Sequence, residues 1–307
     1  MQRLMRATAC AIVSLALATP VFAQKSAAPA SPTLARIKQN GKITFGYQPD
    51  ARPFSYRDQS GIETGFSVAV CQRIAEAIKS ELGVSTLKVE WVPTPANDRF
   101  SAVKDGKVDA FCGADTETLS RREQVAFSIP VFPGGIGALL RKDAPDRLSE
   151  VLNQKPSSSP TWRASAGQLL QTQTFTVIKG TTAEPWLNGK LKDFKLSSKV
   201  RTVGSYDAGI TAVLDRDASV FFADRAVLLD AIAHNPSGAN LEVLDRAFTY
   251  EAFALPLPRG DEAFRALVDR TLSQLYAGPE FRPLYVHWFG EPSADVVTFY
   301  RWNTRPE

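Results

Sequence analysis

The chain is poor in the residues on which most catalytic and metal chemistry depends. Its 307 residues include three cysteines, two histidines and two methionines. His234 and His287 stand in no motif, and with the cysteines they supply no credible four-ligand zinc site. There is no His-Glu-x-x-His helix, no phosphate-binding glycine loop and no Ser-His-Asp order. These absences argue against histidine acid–base catalysis, and nothing in the chain calls for a catalytic residue, a metal or a cofactor. An excess of one charge is also lacking. Lys and Arg number 36 against 32 Asp and Glu, a formal net charge of +4. That bias is too weak to imply nucleic acid or an anionic membrane as partner. Long hydrophobic runs are missing beyond the N-terminus, and the one there, residues 7–18, is too short to span a bilayer comfortably.

What is there begins with MQRLMRATACAIVSLALATPVFAQ. Arg3 and Arg6 precede the apolar run, and Val21-Phe22-Ala23 offers the small residues that signal peptidase reads. Residues 1–23 are therefore expected to be a secretory signal peptide, cleaved after Ala23, which sends the protein to the periplasm. Cys10 lies inside the run and not at its end, so no lipid-attachment site is expected. Cleavage removes two positive charges and no acid, leaving about +2. Residues 24–33, rich in Ala, Ser and Pro, read as a disordered leader. Only Cys71 and Cys112 then remain. An even pair in an oxidising compartment suggests a disulfide, with two buried thiols as the alternative. A bridge would close a loop of about forty residues, worth roughly 3–4 kcal/mol in the chain-entropy model.

Hydrophobic periodicity gives alternating strands and helices. Residues 43–47 (ITFGY) read as a strand and run into a Pro-punctuated loop. Residues 65–83 carry Val68, Cys71, Ala75, Ile78 and Leu82 at helical spacing, with Gly83 as a stop. Residues 87–92 alternate as a strand, 99–106 read as a helix and 108–112 as the next strand. The pattern restarts downstream: strands at 174–178, 200–203 and 218–222, and helices from Pro185 and over 206–215. Two such runs predict two α/β lobes. The polar, Pro/Ser-rich stretch 153–161 reads as an exposed loop. A strand over 252–257 and an amphipathic helix over 261–275 follow, and then an aromatic-rich stretch over 281–289 that ends at Gly290. The tail to Glu307 holds Phe299, Tyr300 and Trp302, which read as core if packed and as a docking patch if exposed.

Taken in order, GYQPDARPFSY, DQSGIETGFSVAVCQRIAEAIKSEL, VKDGKVDAFCGADTETLSRREQVAFSIPVF, KGTTAE and VFFADRAVLL resemble the family 3 periplasmic solute-binding proteins, most of all the glutamate/aspartate-binding branch. The resemblance covers roughly residues 34–289. The insertion at 146–173 and the tail after Gly290 fall outside it. It implies a two-lobed α/β fold, the type II periplasmic-binding-protein fold, with two hinge crossovers near residues 132–136 and 249–253. Lobe 1 would comprise 34–134 and 250–307, and lobe 2 residues 135–249. The implied function is to bind an amino acid as a monomer and deliver it to the membrane permease of an ABC importer.

The resemblance also implies a site. Arg121 would hold the α-carboxylate, since a guanidinium meets a carboxylate in planar, two-pronged fashion. Thr116 would help it, and Thr118 would cap the helix that carries Arg121. Thr182, at a strand-to-helix turn, would offer free N–H groups. Asp224 would receive the α-ammonium, or simply cap the helix after it. Arg99 would meet an acidic ligand side chain. Phe54 and Tyr56 would form walls. Three positions depart from the acidic branch: Gln48 replaces an arginine, and Ala96 and Ala114 replace serines. The expected ligand is accordingly a polar or acidic L-amino acid. Two other functions fit the fold: a periplasmic partner of a quinoprotein dehydrogenase, and an enzyme like cyclohexadienyl dehydratase, for which Glu117 and Glu184 would be the nearest acids.

Overall fold

The structure is a computed structural model that describes residues 31–154 and 163–306, with only the backbone given for 163–165. The proposed signal peptide, residues 24–30 of the leader and residues 155–161 of the proposed loop lie outside the described residues. The first helix, Pro32–Asn40, is not among the elements read from the sequence. Ser31 caps it, and the Asp261 carboxylate accepts from Ser31 Oγ (2.8 Å) and Thr33 N (2.9 Å). Residues 31–33, assigned to a disordered leader, are thus ordered by a carboxylate more than two hundred residues away.

The chain folds into two α/β lobes. In the first, the parallel strands Lys88–Pro93, Lys42–Tyr47 and Ala110–Phe111 form a sheet in that order. The helix Phe66–Leu82 packs its apolar stripe toward this sheet and ends at Gly83, whose φ of 61° is a conformation that glycine adopts without steric cost. Cys71 on that helix is bonded to Cys112, just past the third strand, so the helix and the sheet are covalently tied. In the second lobe a five-stranded sheet runs Lys199–Val203, Thr174–Ile178, Val220–Asp224, Ile136–Arg141, Leu241–Val243. Its first three strands are parallel, and Ile136–Arg141 is antiparallel to both its neighbours. A separate apolar cluster around Val177, Phe222 and Leu140 fills one side of it.

The lobes meet at two crossovers that run side by side. Phe132–Gly134 pairs antiparallel with Glu251–Phe253. Gly135 passes so close to Thr249 that a Cβ there would lie 2.1 Å from the Thr249 carbonyl oxygen, so only glycine fits. The single strand expected over 252–257 is in fact two, Glu251–Phe253 and Pro256–Leu257, with different partners. Beneath the crossover lies an aromatic cluster of Phe54, Phe66, Phe132, Phe253 and Phe289.

The C-terminal residues form a helix, Ala294–Asn303, which the sequence pattern did not suggest. Tyr300 on it is buried and donates its hydroxyl to the Val131 carbonyl, 2.8 Å away. The tail therefore divides: Tyr300 is core, whereas Trp302 is exposed. The flanks of the insertion are also helical, over Asp146–Asn153 and Arg163–Gln171.

Candidate functional site

Every residue lining the inter-lobe cleft stands at, or just beyond, the C-terminal end of a parallel strand, where α/β sheets place their ligands. From the first lobe come Gln48 after Lys42–Tyr47, Ala96 and Arg99 after Lys88–Pro93, and Ala114, Thr116 and Arg121 after Ala110–Phe111. From the second come Thr181 and Thr182 after Thr174–Ile178, Tyr206 after Lys199–Val203, and Asp224 at the end of Val220–Asp224. The fold thus brings together six of the eight residues singled out from the sequence: Gln48, Arg99, Thr116, Arg121, Thr182 and Asp224.

Arg121 sits on a one-turn helix, Leu119–Arg122, capped by Thr118, whose Oγ1 accepts from Arg121 N at 3.2 Å. Its guanidinium donates to the Thr116 carbonyl (2.6 Å) and, across the cleft, to the Gly180 carbonyl (3.1 Å). Burial and the neighbouring Arg99 lower its pKa to about 10, while Asp115, Asp224 and Glu251 pull the other way, so it remains a cation at neutral pH. Arg99 also reaches the Gly180 carbonyl, at 3.4 Å. Both guanidinium carbons lie against the Phe100 ring, 4.5 and 4.7 Å from its centroid. The lobes are closed on one another through these contacts, and the cavity between them is about 10 Å³, room for a single water.

Asp224 precedes the helix Arg225–His234 but makes no capping hydrogen bond with its side chain. Its carboxylate instead accepts a hydrogen bond from the Tyr206 hydroxyl. Burial raises the Asp224 pKa to about 6, with Glu251 and Asp115 adding to the rise and Tyr206 and Arg99 opposing it. Burial, and then the Asp224 charge, push the Tyr206 phenol well above its ordinary value.

Thr182 stands immediately before the helix Ala183–Asp193. At the same turn Gly180 N donates to the Glu184 carboxylate at 2.9 Å, which makes Glu184 a first-turn helix acid. Glu117 pairs with the exposed Arg122. Gln48 is buried, and its side-chain amide donates to Asp50 (3.1 Å), which in turn accepts from Tyr206 N across the cleft (2.7 Å).

Two residues expected as walls lie elsewhere. Phe54 is fully buried in the aromatic cluster under the crossover, and its ring meets Phe132 at 4.8 Å. Tyr56, on the short strand Ser55–Arg57, is packed between Arg52 and Trp288. Three important residues were not singled out. Tyr206 follows Ser205, a recognisable helix cap, and that turn was the only sequence signal for it. Asp115, next in sequence to Thr116, is buried and pairs with Arg99. Burial raises its pKa, against the pull of Arg99 first and Arg121 second. Glu251 sits on the second crossover and accepts hydroxyl hydrogen bonds from Thr116 (2.8 Å), Thr182 (2.7 Å) and Thr249 (2.8 Å). It therefore joins threonines of both lobes. The loop that carries Thr116 follows it, because Glu117 N donates to Ala252 O (3.2 Å) and Ala254 N to Asp115 O (2.9 Å). Among the described residues, no cluster of three or more acidic, His or Cys side chains could hold a metal, and no helix is long and apolar enough to cross a membrane.

Residues 43–291 match the family described as bacterial extracellular solute-binding proteins, family 3, and the chain belongs to that family. It is 27% identical, over 94% of its length and 90% of the other protein's, to the glutamate/aspartate import solute-binding protein of Escherichia coli K12. It is 28% identical to the L-glutamate/L-aspartate-binding protein of Pseudomonas aeruginosa, covering 92% of this chain and 86% of that one. Among solved structures it resembles a solute receptor for L-cysteine of Neisseria gonorrhoeae. The TM-score there is 0.67 at 25% identity, over 90% of this chain and 98% of the other.

Proposed function

We propose that this chain is the substrate-binding protein of an ATP-driven amino-acid importer, binding an L-amino acid between two closing lobes and handing it to a membrane permease. One observation carries the reading. Arg121 and Thr116 from one lobe, and Thr182 and Asp224 from the other, converge on a single buried cleft at strand ends. A zwitterion matches this arrangement. Its α-carboxylate suits the guanidinium of Arg121 and the N–H groups at the start of the helix Ala183–Asp193. Its α-ammonium suits the Asp224 carboxylate. The named relatives bind amino acids, which supports the same class.

Residues 34–134 with 250–307, and residues 135–249, are the two bodies that move. The paired crossovers are the hinge, and parting the lobes admits the ligand, on which they then close. Residues 1–23 act as an export signal that delivers the protein to the periplasm, consistent with an extracellular family.

The test is thermal melting of the exported form against each L-amino acid. A ligand bound only by the folded protein, at a hundred times its dissociation constant, adds about 2.7 kcal/mol of stability. A rise in Tm with one or a few amino acids, lost in Arg121→Ala, is the expected result. No rise with any of them would overturn the proposal.

A further inference from the structure

Arg99 is the second cation of the cleft and is only 4% exposed. In a site for an acidic amino acid, such a guanidinium would face the ligand's side-chain carboxylate. Here a carboxylate of the chain itself already meets it. Asp115, 1% exposed, forms an ion pair with Arg99 through Oδ1. The Asp115 backbone is fixed by the hydrogen bond from Ala254 N, so this carboxylate is anchored to the crossover.

The charges around the cleft point the same way. Arg99 and Arg121 face three carboxylates: Asp115, Asp224 and Glu251. The α-carboxylate and α-ammonium of any amino acid cancel, and Arg121 and Asp224 are committed to them. A side-chain carboxylate would then enter a closed cleft that already holds a surplus of negative charge. No unpaired cation would be left to meet it, because Gln48 is neutral and Arg99 is paired. Burying a charge without a partner is costly. Arg99 nonetheless keeps donor capacity beyond that ion pair. Its Nη1 is buried and has no hydrogen-bond partner. A neutral side-chain oxygen satisfies that donor without adding charge.

We propose that Asp115 is a specificity-determining residue. By taking the place of an acidic side chain on Arg99, it turns the cleft toward amino acids with neutral, hydrogen-bond-accepting side chains and away from glutamate and aspartate. The proposal rests on the amino-acid reading above and narrows it, in the direction opposite to the names of the two curated relatives.

Calorimetric titration at pH 7.5 with L-glutamine, L-asparagine and L-serine, and with L-glutamate and L-aspartate, tests it on the native protein. The expected result is that at least one neutral ligand binds, and that each amide binds at least about tenfold more tightly than its acid, the scale of one uncompensated charge in a partly screened site. Glutamate or aspartate binding as tightly as its amide would overturn the proposal and leave the amino-acid reading standing. Binding of no amino acid would overturn both. Asp115→Asn and Asp115→Ser free Arg99, and in either variant the acid-to-amide ratio is expected to rise about tenfold or more. An unchanged ratio in a variant that still melts cooperatively would remove Asp115 from the role. Should neither variant fold, the native ligand panel decides alone.

Discussion

On the first-lobe face of the cleft stand two guanidiniums, one of them paired with an internal acid. On the second-lobe face stand a carboxylate, a phenol and the start of a helix. The first face is braced twice. The Cys71–Cys112 bond ties the strand before Gly113 to the long helix, and backbone bonds stitch residues 115–117 to the second crossover. The second face hangs from strand ends and helix starts, with no covalent brace. The cations thus sit on the more heavily fixed wall, and closure carries the anion and the N–H groups to them. A zwitterion that bridges the two faces stabilises the closed state by contacts that neither lobe makes alone.

The comparison can be broken most severely by removing the cation on the fixed wall. Arg121→Ala leaves a buried carboxylate site without its partner and is expected to weaken binding by about 2–5 kcal/mol, the range for truncating one member of a buried charge pair. Calorimetry would show this as a loss of some thirtyfold or more, and a smaller loss would move the α-carboxylate elsewhere. Replacing both Cys71 and Cys112 by Ser attacks the brace instead. Stability should fall by roughly 3–4 kcal/mol in urea titrations, while affinity changes little, because the bond lies outside the cleft lining. A large loss of affinity at full folding would show that the brace tunes the site itself. On the opposite face, Asp224→Asn should cost about 1.5–3 kcal/mol of binding, as expected for a hydrogen bond to a charged group.

Acidification separates binding from folding at the same residue. Asp224 titrates near 6 in the folded protein, above its ordinary 3.8. Its protonated form is therefore favoured by folding: this contribution to stability is present below 3.8 and is lost as pH rises through about 6. Binding has the opposite sign, because only the ionised carboxylate receives an ammonium. Affinity should fall as pH drops below about 6, approaching a factor of about ten per pH unit. That slope should vanish in Asp224→Asn, and a native protein with no slope would take the ammonium away from Asp224. The smallest effect is expected at the rim, where Arg52 of the first lobe meets Asp230 (2.9 Å) and His234 (3.0 Å) of the second. Arg52 is partly exposed, so Arg52→Ala should change affinity by no more than about 1 kcal/mol, and less in high salt.

Much of this fold can be read from short-range pattern. The strand Lys42–Tyr47, the helix Phe66–Leu82 and the strand Thr174–Ile178 follow from periodicity and glycine stops, because the side-chain pattern that marks each is written within its own residues. That Arg121, Thr116, Thr182 and Asp224 line one cleft was legible through the motif resemblance. What failed depends on distance along the chain. Phe54 sits in the turn before the strand Ser55–Arg57 and Tyr56 within that strand, and the deciding contacts come from the distant Phe132, Phe253 and Trp288. Glu251 carries no local signal, since its meaning lies in threonines 135 and 69 residues away. Asp115 was visible but silent, because only the fold reveals that Arg99 turns toward it and not toward the cleft alone.

The small closed cavity has a kinetic consequence. With both arginines fastened across the cleft to the Gly180 carbonyl, the closed lobes leave no gap wide enough for an amino acid to pass. An occupant leaves only when the two bodies swing apart, so its residence time is the lifetime of closure. Raising the concentration of a competitor cannot hasten that escape. A permease that receives cargo from this protein must therefore act as a lever on the outer surfaces of the lobes, and the pace of delivery is set by how readily it prises them open.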